Sequence, residues 1–285
     1  MWFIWAILSA LLFGLSGFYM KYGQAKKGSV AYLLLGLYLS GTLGFLLLAL
    51  VNKLFTFHWG ILLAGIIVGL GSTLGNVLFM KALECGPASL TSPLANANIV
   101  LVVIMSIIVY GETLSMLEIF AIILLIVSVS LLPIDPQESL SITNRAWYLF
   151  VGVSVILFFF RNGGLKITEE LAYHNTVVLF YAYLLGIFWS VGQVYVEQKQ
   201  QNAPDKRAIR TGLYSGLVAG VFSFGGMQLY SYALADGPAS IVSPIFSLNS
   251  LVVAILSIVI FKERLSRFQQ MALLGTFLGI VLLRI

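Results

Sequence analysis

Residues 82–94 read Ala-Leu-Glu-Cys-Gly-Pro-Ala-Ser-Leu-Thr-Ser-Pro-Leu, and residues 233–245 read Ala-Leu-Ala-Asp-Gly-Pro-Ala-Ser-Ile-Val-Ser-Pro-Ile. Gly86-Pro87-Ala88-Ser89 falls on Gly237-Pro238-Ala239-Ser240, and Ser92-Pro93 on Ser243-Pro244, at one constant offset of 151 positions. Without a gap the match continues through Ser106/Ser257, Glu112/Glu263, Leu114/Leu265 and Ser115/Ser266. Solenoid repeats have periods of 20–50 residues. A period of 151 is a duplicated half-protein.

Composition says what is duplicated. The chain is 60% hydrophobic and 9% charged, with a mean hydropathy of +0.99; soluble domains are about 25% charged. Apolar runs of about 20 residues recur along the whole length without period-two alternation, which predicts membrane-spanning helices rather than a barrel. We place ten spans near 2–20, 30–51, 58–83, 88–110, 115–132, 146–167, 173–196, 209–234, 239–261 and 266–284. Residues 1–132 form the first five-helix half, 133–145 the central linker (Pro133-Ile134-Asp135-Pro136 and following), and 146–285 the second half. The first helix starts at Trp2 with neither a basic n-region nor a cleavage site, so no cleavable signal is expected. Pro87 and Pro238 follow glycines in tight turns and suit a helix start. Pro93 and Pro244 fall about a turn and a half further on, where a missing donor kinks the helix or frees a carbonyl.

An odd number of spans per half inserts the second copy upside down, which predicts inverted repeats. Charge supports this independently. Residues 110–118 carry Glu112 and Glu118 and no base, whereas the equivalent 261–267 carry Lys262, Arg264 and Arg267 with one acid. Lys21, Lys26 and Lys27 follow the first span, whereas Lys166, Glu169 and Glu170 follow its counterpart. Loops after odd-numbered spans hold most of the basic residues, so they are predicted cytoplasmic, with both termini outside. The formal charge of +5 is thus an orientation signal and not a nucleic-acid footprint.

Paired five-helix halves, a Gly-Pro-Ala-Ser turn before a short fourth helix, and Gly111-Glu112-Thr113-Leu114-Ser115 or Lys262-Glu263-Arg264-Leu265-Ser266 after it resemble the EamA-type branch of the drug/metabolite transporter superfamily. The resemblance covers nearly the whole chain and is most specific from Ala233 to Ile285. It implies a ten-helix carrier with a central cavity that works by alternating access. Relatives export amino acids and other metabolites, or exchange nucleotide sugars and phosphorylated compounds. The first half has Thr113 where the second has Arg264, so a symmetrical role for a Glu-Arg pair is not implied.

Polar groups at membrane depth are functional candidates because they are costly there. Arg161, in Phe158-Phe159-Phe160-Arg161-Asn162-Gly163-Gly164, lies about 10 Å from the outer end of its helix at 1.5 Å per residue. Either it faces a cavity and holds a carboxylate or phosphate, with Asn162 beside it, or it snorkels to the interface. Asn76 and Gln228, next to glycine runs, either line a cavity or hydrogen-bond between helices. Asn98 and Asn249, equivalent after Pro93 and Pro244, either line it or satisfy the freed carbonyls. Tyr38 and Tyr183 match at an offset of 145 and are mid-helix cavity candidates.

Much is excluded. One cysteine, Cys85, and two distant histidines, His58 and His174, give no disulfide framework and no metal site. No phosphate loop, His-Glu-x-x-His helix or Gly-x-Ser-x-Gly elbow is present, so no enzyme and no cofactor is expected. No carboxylate sits in mid-span, which favours a facilitator or exchanger over a proton-coupled device. The sequence reading is an all-α integral membrane carrier of a bacterial-type plasma membrane. It acts as a monomer or weak homodimer and exports or exchanges a small polar or anionic metabolite, amino acids foremost, with membrane lipids as its other contacts. Pro87, Pro93, Pro238 and Pro244 mark the moving parts. The alternatives are a translocase for a phospholipid or lipid-linked sugar, and a membrane scaffold.

Overall fold

The computed structural model describes residues 1–55, 58–85, 91, 94–95, 97–131, 142, 144–199, 204–261 and 267–283. Pro87 and Pro93, most of the 133–145 linker, and residues 262–266 lie outside the described residues. The described elements are all helices: α1 (Trp2–Ala25), α2 (Val30–Val51), α3 (Trp59–Cys85), α4 (Ala97–Tyr110), α5 (Met116–Leu131), α6 (Ala146–Glu170), α7 (Asn175–Lys199), α8 (Lys206–Asp236), α9 (Ala239–Phe246), α10 (Asn249–Phe261) and α11 (Arg267–Leu282). Several starts are capped as their sequences dictate. Ser29 accepts from the Tyr32 amide at 3.4 Å, and Asp205 from the Ala208 amide at 2.7 Å. Ser115 and Glu118 bond each other's amides in a reciprocal capping box before α5.

The spans differ in length more than the sequence suggests. α1, α2, α3, α6, α7 and α8 are long and apolar enough to cross a membrane, whereas the runs Ala97–Tyr110, Met116–Leu131, Ala239–Val253 and Gln270–Leu282 are shorter. The ninth span, expected as one helix over 239–261, is broken into α9 and α10 around Ser247 and Leu248. Pro238 caps the start of α9 and Pro244 lies inside it. Pro244 has no N–H to offer the Ser240 carbonyl, which weakens the helix there. Ser247 Oγ then donates to the Pro244 carbonyl at 2.6 Å, and Asn249 Nδ2 to the Phe246 carbonyl at 2.7 Å.

The packing is the same when the halves are exchanged. α1 packs on α8 as α6 packs on α3, α2 on α8 as α7 on α3, and α1 on α10 as α6 on α4; α2–α7 and α5–α11 map onto themselves. The equivalence reaches single atoms. In the α1–α2 turn, Lys27 has φ 59°, and the amides of Lys27 and Gly28 bond the carbonyls of Gln24 and Gly23. In the α6–α7 turn, Ala172 has φ 55°, and the amides of Ala172 and Tyr173 bond Glu169 and Thr168, each 145 positions later. A Cβ on Gly69 would lie 2.9 Å from the Ala182 carbonyl oxygen, and one on Gly220 would collide with the Leu37 carbonyl. Small residues let these helices meet backbone to backbone, the usual way helices associate in lipid.

The two ends of the bundle are built differently. At one, Ser29 in the α1–α2 turn donates to Glu197 of α7 at 2.6 Å, and its amide bonds the Ala208 carbonyl of α8 at 3.1 Å. At the other, Tyr173 in the α6–α7 turn meets His58 ahead of α3, with ring centroids 5.4 Å apart. There Gly111, at φ +64°, turns the chain out of α4 and aims Glu112 at the start of α9. Its carboxylate accepts from the amides of Ala239 and Ser240, both at 2.9 Å, and from Ser240 Oγ at 2.6 Å. A carboxylate at a helix N-terminus satisfies orphan donors and complements the helix dipole. Here the Gly111-Glu112 motif of the first half caps the helix that follows Gly237-Pro238 in the second.

Candidate functional site

A cavity of about 110 Å³ opens between α1, α2, α3, α6, α7 and α8. Its lining is organised in equivalent pairs: Ser16 and Arg161, Leu34 and Leu179, Leu37 and Ala182, Tyr38 and Tyr183, Ser72 and Ser223, Asn76 and Met227. The cavity therefore sits where the two halves meet. Toward the α1–α2 turn, Gly17, Met20, Ser72 and Asn76 keep partial exposure although Leu34 is buried, whereas toward the α9 end Leu179, Ala182 and Met227 are buried and only Phe13 is partly exposed. All eight residues of α9 are buried as well, and Phe246 packs against Phe13 at 5.0 Å and Tyr230 at 4.4 Å. The cavity is closed at that end.

Arg161 holds the only formal charge in the described lining. Its guanidinium carbon lies 4.8 Å from the Phe158 ring centroid and 5.8 Å from that of Phe13. Those two phenylalanines are themselves equivalent at the 145 offset, so the cation sits between the same ring of each half, a favourable arrangement. Nε donates to Asn162 Oδ1 at 3.1 Å, Asn162 Nδ2 to Asn98 Oδ1 at 2.8 Å, and Asn98 Nδ2 to the Ala95 carbonyl at 2.7 Å. This chain engages Nε, and no described residue bonds the two terminal nitrogens of this lining residue. Among the described residues Arg161 has no carboxylate partner. A planar fork with free donors in a partly dry site is suited to a carboxylate or phosphate.

The aromatic floor is equally reciprocal. Tyr38 and Tyr183 meet edge to face at 5.6 Å. Tyr38 fills the space beside Gly186 where a Cβ would stand, and Tyr183 does the same beside Gly41. Tyr-x-x-Gly is thus written once in each half, at 38–41 and 183–186. Tyr183 also shares a hydrogen bond with Ser223 at 2.5 Å.

The sequence profile of the EamA-like transporter family matches residues 1–134 and 165–285. The chain belongs to that family. It is therefore a multi-pass membrane protein of a transporter family and not of an enzyme family. No curated protein matches it. A solved structure described only as a crystal structure of a protein is 13% identical over 98% of this chain and 94% of its own, with a TM-score of 0.76. At that identity the likeness is one of fold.

Within this EamA-like protein, the sequence candidates separate. Arg161, Asn76, Tyr38 and Tyr183 line the cavity. Asn162 and Asn98 lie behind Arg161 in its hydrogen-bond chain. Asn249 bonds the carbonyl at its own helix break and is outside the lining. Gln228 is also outside it: its Oε1 accepts from Thr176 at 3.1 Å between α7 and α8, and its Nε2 has no partner among the described residues. Pro238 and Pro244 bound and interrupt α9, the helix that closes one end. The sequence reading missed Phe13, Ser16, Ser72 and Ser223. Their signal was present in the repeat, since Ser72 and Ser223 match at 151 and Ser16 stands opposite Arg161 at 145.

Proposed function

We propose that this protein is a carrier that moves a small organic anion across a bacterial-type plasma membrane by alternating access to the Arg161 cavity. One observation carries the reading: in a member of a transporter family, a cavity at the junction of the halves holds a single guanidinium whose terminal nitrogens have no partner, and which has no carboxylate partner, among the described residues. A scaffold has no use for a cation kept at such cost. Ten spans in two inverted repeats, divided as 1–132 and 146–285 around the 133–145 linker, are part of the proposal. Its support is the exchange of contacts between halves and the appearance of the equivalent α1–α2 and α6–α7 turns beside different ends of α2. With the basic odd-numbered loops cytoplasmic and both termini outside, the partly exposed end of the cavity faces the cytoplasm and α9 is the outer closure. The six lining helices come from one chain, which suits a monomer or weak homodimer as working unit. Metabolites bearing a carboxylate, amino acids included, and phosphorylated metabolites share the chemistry Arg161 recognises.

The test is efflux from proteoliposomes loaded with a mixed pool of soluble metabolites, read by mass spectrometry against protein-free liposomes. Selective loss of an organic anion from wild type, absent with Arg161→Gln, is the expected result. Equal retention of every soluble compound contradicts the reading and turns attention to phospholipid and prenyl phosphate as cargo.

A further inference from the structure

The paired lining makes the two walls of the cavity chemically unlike. The α3–α6 wall presents Arg161 and Asn76; at the equivalent places the α1–α8 wall presents Ser16 and Met227. Phe13 and Met20 of α1 extend that second wall, and Leu34, Leu37, Leu179 and Ala182 close the space between the walls with hydrocarbon. We infer that the cavity takes an amphipathic monoanion, a carboxylic acid with an apolar or aromatic body and no ammonium group, in preference to the corresponding α-amino acid. The inference rests on the carrier reading above and narrows its substrate class.

The carboxylate has a site and the body has a wall, but an ammonium has neither. An α-ammonium group stands one carbon from the carboxylate, so on this ligand it would lie beside the Arg161 guanidinium. It would need acceptors for three donors and a countercharge. Among the described residues no carboxylate reaches that level. On α6 the nearest is Glu169, and on α3 Glu84, each eight positions beyond Arg161 or Asn76, or about 12 Å along the helix. On α8 Asp236 is nine positions beyond Met227, on α7 Glu197 is fourteen beyond Tyr183, and α1 and α2 carry no acid. Nor do the backbone carbonyls of the described residues replace them. The six lining helices are continuous through the cavity, so their carbonyls are bonded internally, and at the α9–α10 break the Pro244 and Phe246 carbonyls are taken by Ser247 and Asn249.

Aromatic faces, the remaining way to hold a cation, are engaged. Phe158 and Phe13 face Arg161 itself. Tyr183 is met edge to face by Tyr38 at 5.6 Å and by Phe45 at 5.0 Å. What remains for an ammonium is neutral hydroxyl and amide oxygen next to a like charge, an arrangement that favours the partner without it.

Three compounds of one skeleton test this: 3-phenylpropionate, L-phenylalanine and 2-phenylethylamine, which carry the carboxylate alone, both groups, and the ammonium alone. The measurement is the thermal midpoint of the purified full-length protein at pH 8 as each compound is titrated, since a ligand of the folded state raises it. Wild type is expected to bind 3-phenylpropionate at least about ten-fold more tightly than phenylalanine and to ignore 2-phenylethylamine. Arg161→Gln, with an unliganded midpoint close to wild type to show that it folds, is expected to lose the 3-phenylpropionate response. Phenylalanine binding as tightly as, or more tightly than, 3-phenylpropionate overturns the inference. So does the absence of any response to 3-phenylpropionate. In either case the carrier reading stands or falls separately, on the mixed-pool efflux.

Discussion

The α3–α6 wall and the α1–α8 wall of the cavity are built alike and equipped differently. Both pairs close through glycine: a Cβ on Gly75 would meet the Phe158 ring at 2.8 Å, and one on Gly226 the equivalent Phe13 backbone at 2.8 Å. Both present a phenylalanine to the same guanidinium. Yet one wall supplies Arg161, Asn162 and Asn76 where the other supplies Ser16, Gly17 and Met227. Duplication gave the protein a symmetric frame, held by small residues at backbone contacts, and the chemistry arises where the copies diverged. A search for the site of such a protein should therefore look for unlike residues at like positions.

The comparison makes predictions of decreasing size. If glycine contacts hold the equivalent α3–α7 and α2–α8 pairs, which flank the two walls, equally, Gly69→Leu and Gly220→Leu should be equally damaging, because each side chain would enter the carbonyl of a neighbouring helix. Overpacking costs about 1–3 kcal/mol, and more where it cannot be relieved, as against a backbone carbonyl; neither variant should give a monodisperse peak on size exclusion. Gly152→Leu and Gly192→Leu, where nothing lies within 4 Å, should elute as wild type. A large difference between Gly69→Leu and Gly220→Leu would break the structural half of the comparison. Asn162→Leu removes both the Nε acceptor of Arg161 and the donor to Asn98. Leaving such buried groups unsatisfied costs about 1–3 kcal/mol, so affinity for the transported anion should fall roughly 10-fold or more while Gly17→Ala leaves it nearly unchanged. Asn76→Met gives the two walls the same residue at this pair. One neutral hydrogen bond is worth about 1 kcal/mol, so a five-fold weakening in the same binding assay is expected, with no change in thermal midpoint beyond a few degrees.

The frame was legible because duplication leaves a constant offset. One number, 151, relates α3 and everything after it to the second half, and 145 relates α1 and α2 to α6 and α7; the six-residue difference falls between α7 and α8, around residues 200–205. Arg161, Tyr38 and Tyr183 could be picked out because charge and repetition at membrane depth are visible in a string of letters. Other assignments needed the third dimension. Asn98 and Asn249 are identical in position, and both bond a carbonyl three residues back. Only Asn98 is drawn toward Arg161, because Asn162 stands on its side and Gly17 on the other. The role of Glu112 could not be read from spacing either, since the helix it caps begins 127 positions away. The break in the ninth span was only half legible: Pro244 marks a kink, but hydropathy runs uninterrupted through Ser247 and Leu248, where the helix ends and restarts.

The central claim is that one of two equivalent positions, Arg161 and not Ser16, holds the anion. It is tested most directly by equilibrium binding of the anion found in the efflux screen to wild type, Arg161→Ala, Arg161→Lys and Ser16→Ala. Two charge-assisted hydrogen bonds at about 1.5–3 kcal/mol each predict a loss of at least about 100-fold for Arg161→Ala, a smaller loss for Arg161→Lys, which keeps the charge without the fork, and almost none for Ser16→Ala. Unchanged affinity in a folded Arg161→Ala protein would contradict the account.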